Sequence, residues 1–204
     1  MIDYVNKTFP DLDKEFVIED SPLGTGGAIK LACSKAKNTD VLILNGDTLF
    51  NINLKELSEF HRNKKADFTV ALKEMRNFSR YGSVEIDKNF AIKAFHEKTY
   101  CEKGFINGGV YALRVNSFMN EALPDIFSFE KDFLEINTGK KKFYGLECEY
   151  YFIDIGIPED YDRFIRDFNL IFDKSKYHKK DTGDYMNAFI GDIFFDGLLS
   201  ILTD

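Results

Sequence analysis

The chain is 204 residues long, with 44% hydrophobic and 15% aromatic residues, enough to bury one substantial core and too apolar for a disordered tail. Its 27 Lys and Arg face 34 Asp and Glu, for a formal charge of -7 with no long basic block, so nucleic acid is excluded as a partner by charge. No apolar run approaches the roughly 18 residues of a membrane helix and residues 1–15 carry no leader pattern, so a cytoplasmic protein with no membrane partner is expected.

In chain order, Leu23-Gly-Thr-Gly-Gly27 precedes AIKLACSKAKN, where Ala28, Ile29, Ala32 and Ala36 recur at helical spacing. A glycine-rich turn therefore opens a helix. Val41–Leu44 is an apolar run ending at Asn45-Gly46-Asp47, the pattern of a strand covered on both faces, with Asp47 at its carboxyl end. Asn53 caps a helix carrying Leu54, Leu57 and Phe60, and Phe68, Val70 and Leu72 alternate as a half-buried strand. GSVEID and AIKAFHEK, joined by Asp87-Lys88-Asn89, read as a hairpin.

FINGGVYALR reads as a strand interrupted early by Asn107-Gly108-Gly109, and Ser128 caps a helix with Glu130 and Asp132 in its first turn. Residues 142–153 read as one further strand ending at Asp154-Ile-Gly156. Pro158 then starts a helix, with Tyr161, Phe164, Ile165 and Phe168 on the stripe that should pack it. Residues 173–183 are polar and linker-like, and 185–202 read as an amphipathic helix because Asp192, Asp196 and Ser200 fall at i, i+4, i+8. The order predicts an α/β fold, a mixed sheet with helices on both faces, as a domain over 1–172 followed by a linker and helical tail over 173–204. Cys33, Cys101 and Cys148 are odd in number and far apart, which favours reduced thiols over disulfides or a zinc cluster.

A glycine turn before a helix brings backbone N–H groups close to an anion or a flat ring, or it is a tight loop for packing alone. Asp47 is a carboxylate at the mouth where α/β sheets take ligands, or a turn former. Asp154 also ends an apolar strand. Two such carboxylates, brought together, can hold a divalent cation against phosphate oxygens. His61, His96 and His178 have no ligand-spaced partner and read as solvated or locally bonded side chains.

PLGTGGAI (22–29), LNGD (44–47), YGSVEID (81–87), HEK (96–98), INGGVY (106–111), SFEKDFLE (128–135) and FIDIGIPEDY (152–161) form an ordered set. Together they resemble the sugar-1-phosphate nucleotidyltransferases, and within them the heptose 1-phosphate guanylyltransferase branch, over about residues 10–170. The resemblance implies a Rossmann-like, GT-A-like domain and transfer of a nucleotidyl group from a nucleoside triphosphate, GTP in this branch, to a heptose or mannose type sugar 1-phosphate. The products would be pyrophosphate and a nucleotide sugar for surface polysaccharide synthesis. It implies that Leu23, Gly24, Thr25 and Gly26 lie against base and ribose, that Asp47 and Asp154 bind Mg2+, that Gly82, Glu97 and Asn107 contact the sugar, and that Lys98 meets the sugar phosphate. Asp47, Lys98 and Asp154 are the implied catalytic set.

Two departures accompany the likeness. Thr99 stands where the family places a proline, and the family's opening strand, Gly-x-Gly-Thr-Arg type loop and Pro-Lys-Pro segment do not occur. An amino-terminally truncated member is therefore expected, with weak or no turnover, an unpaired edge beside Val41–Leu44 and self-association through that edge. The alternative is a non-catalytic fragment or a sugar-phosphate-binding module. A glycosyltransferase would favour an Asp-x-Asp metal motif, which Asn45-Gly46-Asp47 is not.

Overall fold

Residues 2–171 and 198–201 are described by a computed structural model. Two helices come first, α1 (Ile2–Thr8) and α2 (Gly24–Cys33), then β1 (Asp40–Asn45), β2 (Thr48–Phe50) and α3 (Leu54–Lys64). Asn53 caps α3 by accepting from the N–H groups of Lys55 and Glu56 at 3.1 and 3.2 Å. β3 (Phe68–Phe78) precedes the hairpin of β4 (Ser83–Ile86) and β5 (Ile92–His96), whose turn is held by Asp87 Oδ1 accepting from the N–H groups of Asn89 and Ala91. β6 (Cys101–Arg114), α4 (Val115–Met119), a π-helix (Phe129–Glu135), β7 (Phe143–Glu147), β8 (Phe152–Asp154), α5 (Pro158–Ile171) and β9 (Leu198–Ile201) complete the order.

β6 is the spine of a seven-stranded mixed sheet. β3 runs antiparallel along one side of it, with β7 parallel outside β3. The other side of β6 is shared: Val110–Arg114 pair with β1, and Phe105 and Ile106 pair with β4. β5 lies outside β4 and β9 lies parallel outside β1, while β2 and β8 form a separate antiparallel pair.

Alternate residues of the same strands feed two cores. Val41, Ile43, Val70, Leu72, Tyr111 and Leu113 meet α2, α4 and the π-helix on one face. Leu42, Ala71, Val110 and Ala112 meet Leu57 of α3, Phe50 and Cys148 on the other. The expected helices on both faces are therefore present, and Cys33 and Cys148 are buried free thiols. The first half of β3, however, is not half-buried: Phe68 through Leu72 are all fully buried, while residues 73–77 are partly or fully exposed. Both faces are covered because β3 lies between β6 and β7 with a core on each side, and Thr69 is accommodated by its hydroxyl's bond to His61 Nδ1 at 2.9 Å.

Several boundaries differ from the sequence reading. Residues 142–153 are two strands, because the chain leaves β3 after Glu147 and crosses to pair with β2. Ser128 caps a π-helix, accepting from Lys131 N–H at 3.2 Å. Its wide turn accompanies stacked Phe129 and Phe133 rings with centroids 5.3 Å apart, both in one core. α5 forms where expected, yet Tyr161 and Ile165 on its stripe are exposed. Polar contacts attach this helix, among them Tyr151 Oη donating to Asp167 at 2.9 Å. Leu198–Ile201 are a strand in register with Leu42–Asn45 rather than helix, so the edge expected to lie open beside β1 is paired. The linker at 173–183 and the remainder of the predicted tail helix up to residue 197 lie outside the described residues.

Candidate functional site at the break in the sheet

β1 and β4 share one side of β6 and diverge at Asn107-Gly108-Gly109. Leu44 of β1 pairs with Val110 and Ser83 of β4 pairs with Ile106. On the opposite side the β3 register jumps from Val70–Tyr111 to Leu72–Asn107, so extra β6 residues are accommodated as a bulge. Gly109 takes φ +72°, and a Cβ there would approach Thr48 Oγ1 to 2.7 Å. A glycine is thus required for both conformation and space. Such a break beside a strand's carboxyl end is where α/β sheets form ligand crevices.

The same register gathers three of the residues singled out from sequence. Ser83 pairs with His96 on one side and with Ile106 on the other, so Gly82, Glu97 and Asn107 follow at the same end of three neighbouring strands. Asn107 Oδ1 accepts from Gly109 N–H and its Nδ2 donates to the Tyr111 hydroxyl, each at 2.9 Å. Burial is the main cause raising the pKa of that phenol, with Glu130 and Asp47 also raising it. The side chain is therefore a neutral anchor beneath the bulge. Glu97 is exposed and 3.6 Å from Lys131, and Lys98 beside it is exposed.

Asp47 and Asp154 are brought together by the small sheet. Thr48 pairs with Asp154, and Ile155 N–H donates to the Asp47 carbonyl at 2.8 Å. Asp47 is exposed; Asp154 is partly buried, with Oδ1 accepting from Gly156 N–H at 2.9 Å and Oδ2 lying 3.6 Å from Arg80. Arg80 in turn donates to Asp160 at 2.9 Å, which raises the arginine's pKa, and Asp160 also holds Arg163 at 3.0 Å.

Leu23 and Gly24–Gly26 open α2 against the segment before the π-helix. Gly26 N–H donates to the Phe127 carbonyl at 3.0 Å and Phe127 N–H to the Leu23 carbonyl at 3.1 Å. A Cβ on Gly26 would collide with the Phe127 ring. Thr25 Oγ1 accepts from Phe129 N–H at 2.9 Å and donates to Glu130 at 3.0 Å. Close packing within the chain thus uses the space left by Gly26, while Gly24 and Thr25 remain exposed.

The profile of the nucleotidyl transferase family matches residues 5–168. The chain belongs to that family. The D-glycero-alpha-D-manno-heptose 1-phosphate guanylyltransferase of Aneurinibacillus thermoaerophilus is 49% identical over 158 residues, 78% of this chain and 68% of that one. The protein of the same name from Campylobacter jejuni is 41% identical over 163 residues, 80% of this chain and 71% of that one. Crystal structures of HddC from Yersinia pseudotuberculosis, one complexed with GMP-PN, superpose with TM-scores of 0.73 and 0.71 at 38% identity, covering 82% of this chain and 72% of those.

In this nucleotidyl transferase domain, the sequence reading missed Arg80, Asp160 and Thr48. Arg80 directly precedes Tyr81-Gly82, a cation beside positions already singled out, and that was the available signal. Thr48 Oγ1 is buried without a hydrogen-bond partner, beside Asn45 and Gly109, so an unsatisfied polar atom faces the break. No group of three or more His, Cys, Asp and Glu side chains placed to hold a metal ion by themselves occurs among the described residues. A cation here would rest on the Asp47 and Asp154 carboxylates plus oxygens of a ligand, a donor set that suits Mg2+.

Proposed function

We propose that the chain acts in nucleotidyl transfer from GTP to a heptose 1-phosphate, releasing pyrophosphate and GDP-heptose. The observation that supports this reading is the placement of Gly82, Glu97 and Asn107 at one end of three adjacent strands, with Asp47 and Asp154 on neighbouring backbone segments at the end of the small sheet. Names of the relatives agree with it. Asn107 and Glu97 offer hydrogen-bonding groups for sugar hydroxyls, and Lys98 offers a charge for the sugar phosphate. Asp47 and Asp154 would hold Mg2+, which supplies charge neutralisation between two phosphorylated reactants that otherwise repel. The protein's part is to align the attacking sugar-phosphate oxygen with the α-phosphorus. Leu23, Gly24, Thr25 and Gly26 are proposed for the base and ribose.

The test is calorimetric titration of the 204-residue chain with GDP-heptose, GDP-mannose, UDP-glucose and dTDP-glucose in MgCl2, together with pyrophosphate release from GTP and heptose 1-phosphate. Tightest binding of GDP-heptose, lost on Asn107→Ala, is the expected result. Preference for a pyrimidine nucleotide overturns the assignment of base. Binding of GDP-heptose with no pyrophosphate release makes the chain a binding module rather than a transferase.

A further inference from the structure

Arg80 sits between two carboxylates of different surroundings. Its Nη1 is 2.9 Å from Asp160 Oδ2 and its Nη2 is 3.6 Å from Asp154 Oδ2. Asp160 is buried, with 7% exposure, and is also held by Arg163 at 3.0 Å. The guanidinium lies over the Tyr81 ring, 5.5 Å from its centroid. Tyr81 in turn is packed edge-on against Phe152, whose strand leads into Asp154. Arg80 is therefore fixed by Asp160 and Tyr81, while its contact with Asp154 is the longer of the two and involves the one carboxylate oxygen not taken by Gly156 N–H.

We propose that Arg80 is a positioning residue that serves as the resident counter-cation of Asp154, in the electrostatic place that a divalent cation would take, and that Asp160 is the carboxylate onto which it withdraws when the cation binds. This rests on the reading of Asp47 and Asp154 as a cation pair. Without a counter-charge, Asp47, Asp154 and Asp160 would leave this end of the small sheet with mutually repelling carboxylates. Arg80 relieves that repulsion in the cation-free protein. Its positive charge, 3.6 Å from a ligand oxygen, necessarily opposes a second cation at the same oxygen. The two partners of Asp154 are thus alternatives, and Asp160 keeps the guanidinium paired in both states.

Calorimetric titration of the full chain with MnCl2 at fixed ionic strength tests this without turnover. Arg80→Gln should bind Mn2+ about fivefold more tightly than the parent, because the competing charge is gone. Asp160→Asn should bind it more weakly, because Arg80 is left with Asp154 alone. Asp154→Asn should abolish binding in either background. If Arg80→Gln is not folded by circular dichroism, Arg80→Met, which removes the charge and keeps the aliphatic stem, serves, with an effect in the same direction. Mn2+ bound by the parent and by the Arg80 variant with equal affinity, or more weakly by the variant, overturns the counter-cation role and leaves the cation pair standing. No Mn2+ binding by parent or variant overturns the cation pair and with it this role.

Discussion

His61 shows how a single buried side chain sets a pH limit. It is 1% exposed, its Nδ1 bonds the Thr69 hydroxyl, and its Nε2 lies 3.7 Å from Asp40, too far for a hydrogen bond. Burial outweighs the attraction of Asp40 and lowers its pKa from 6.5 to about 4. An unfolded chain takes up a proton below about 6.5 while the folded chain stays neutral to about 4, so the unfolded state binds more protons in that window. Stability should therefore be full above pH 6.5 and decline as the pH falls to 4, by at most about 1.4 kcal/mol per pH unit from this group. Urea midpoints of the parent and His61→Gln across pH 4–8 check this, and the variant should show the shallower acid slope. The sequence reading of His61 as a solvated or locally bonded side chain excluded a metal ligand but left its burial open, because the fold brings Thr69 and Asp40 to it. Arg80 was not, because its place depends on Asp160, which only the tertiary fold brings to it.

At the scale of elements, local signals were legible and non-local ones were not. Asn53 before an apolar stripe, the Asp87-Lys88-Asn89 turn and the Gly-rich opening of α2 each carry their instructions within a few residues, and each formed as read. β2 and β8 are three residues each and exist through pairing across about a hundred residues of chain, so no window of sequence announces them. The aspartates at their ends were visible as residue types, but the closeness of their backbones is a property of that ladder. Ser128 was visible as a cap, whereas the π-helical turn that follows accompanies ring packing in a core the sequence does not display. Removing the cap isolates the two contributions. Ser128→Ala should lower stability by about 1 kcal/mol in urea unfolding. The substitution also removes the hydroxyl's bond to Glu130 Oε2 at 3.2 Å, and near-UV circular dichroism of the Phe129 and Phe133 environment should still change little if ring packing, not the cap, sets the turn.

Across the whole molecule, the sheet is divided between local and distant pairings. The hairpin of β4 and β5 joins β6 within a short stretch of chain, whereas β1 takes β6 on one side and Leu198–Ile201 on the other. A chain ending at residue 197 should uncover the β1 edge, lowering the thermal midpoint and producing concentration-dependent larger species in size-exclusion chromatography. An unchanged midpoint and elution would show that the β1–β9 pairing adds nothing to the sheet. The pairing also orders events in time. During synthesis, β1 emerges about 150 residues before its parallel neighbour, so one flank of the strand leading to Asp47 must wait, bare or guarded by chaperones, until nearly all of the described chain has left the ribosome.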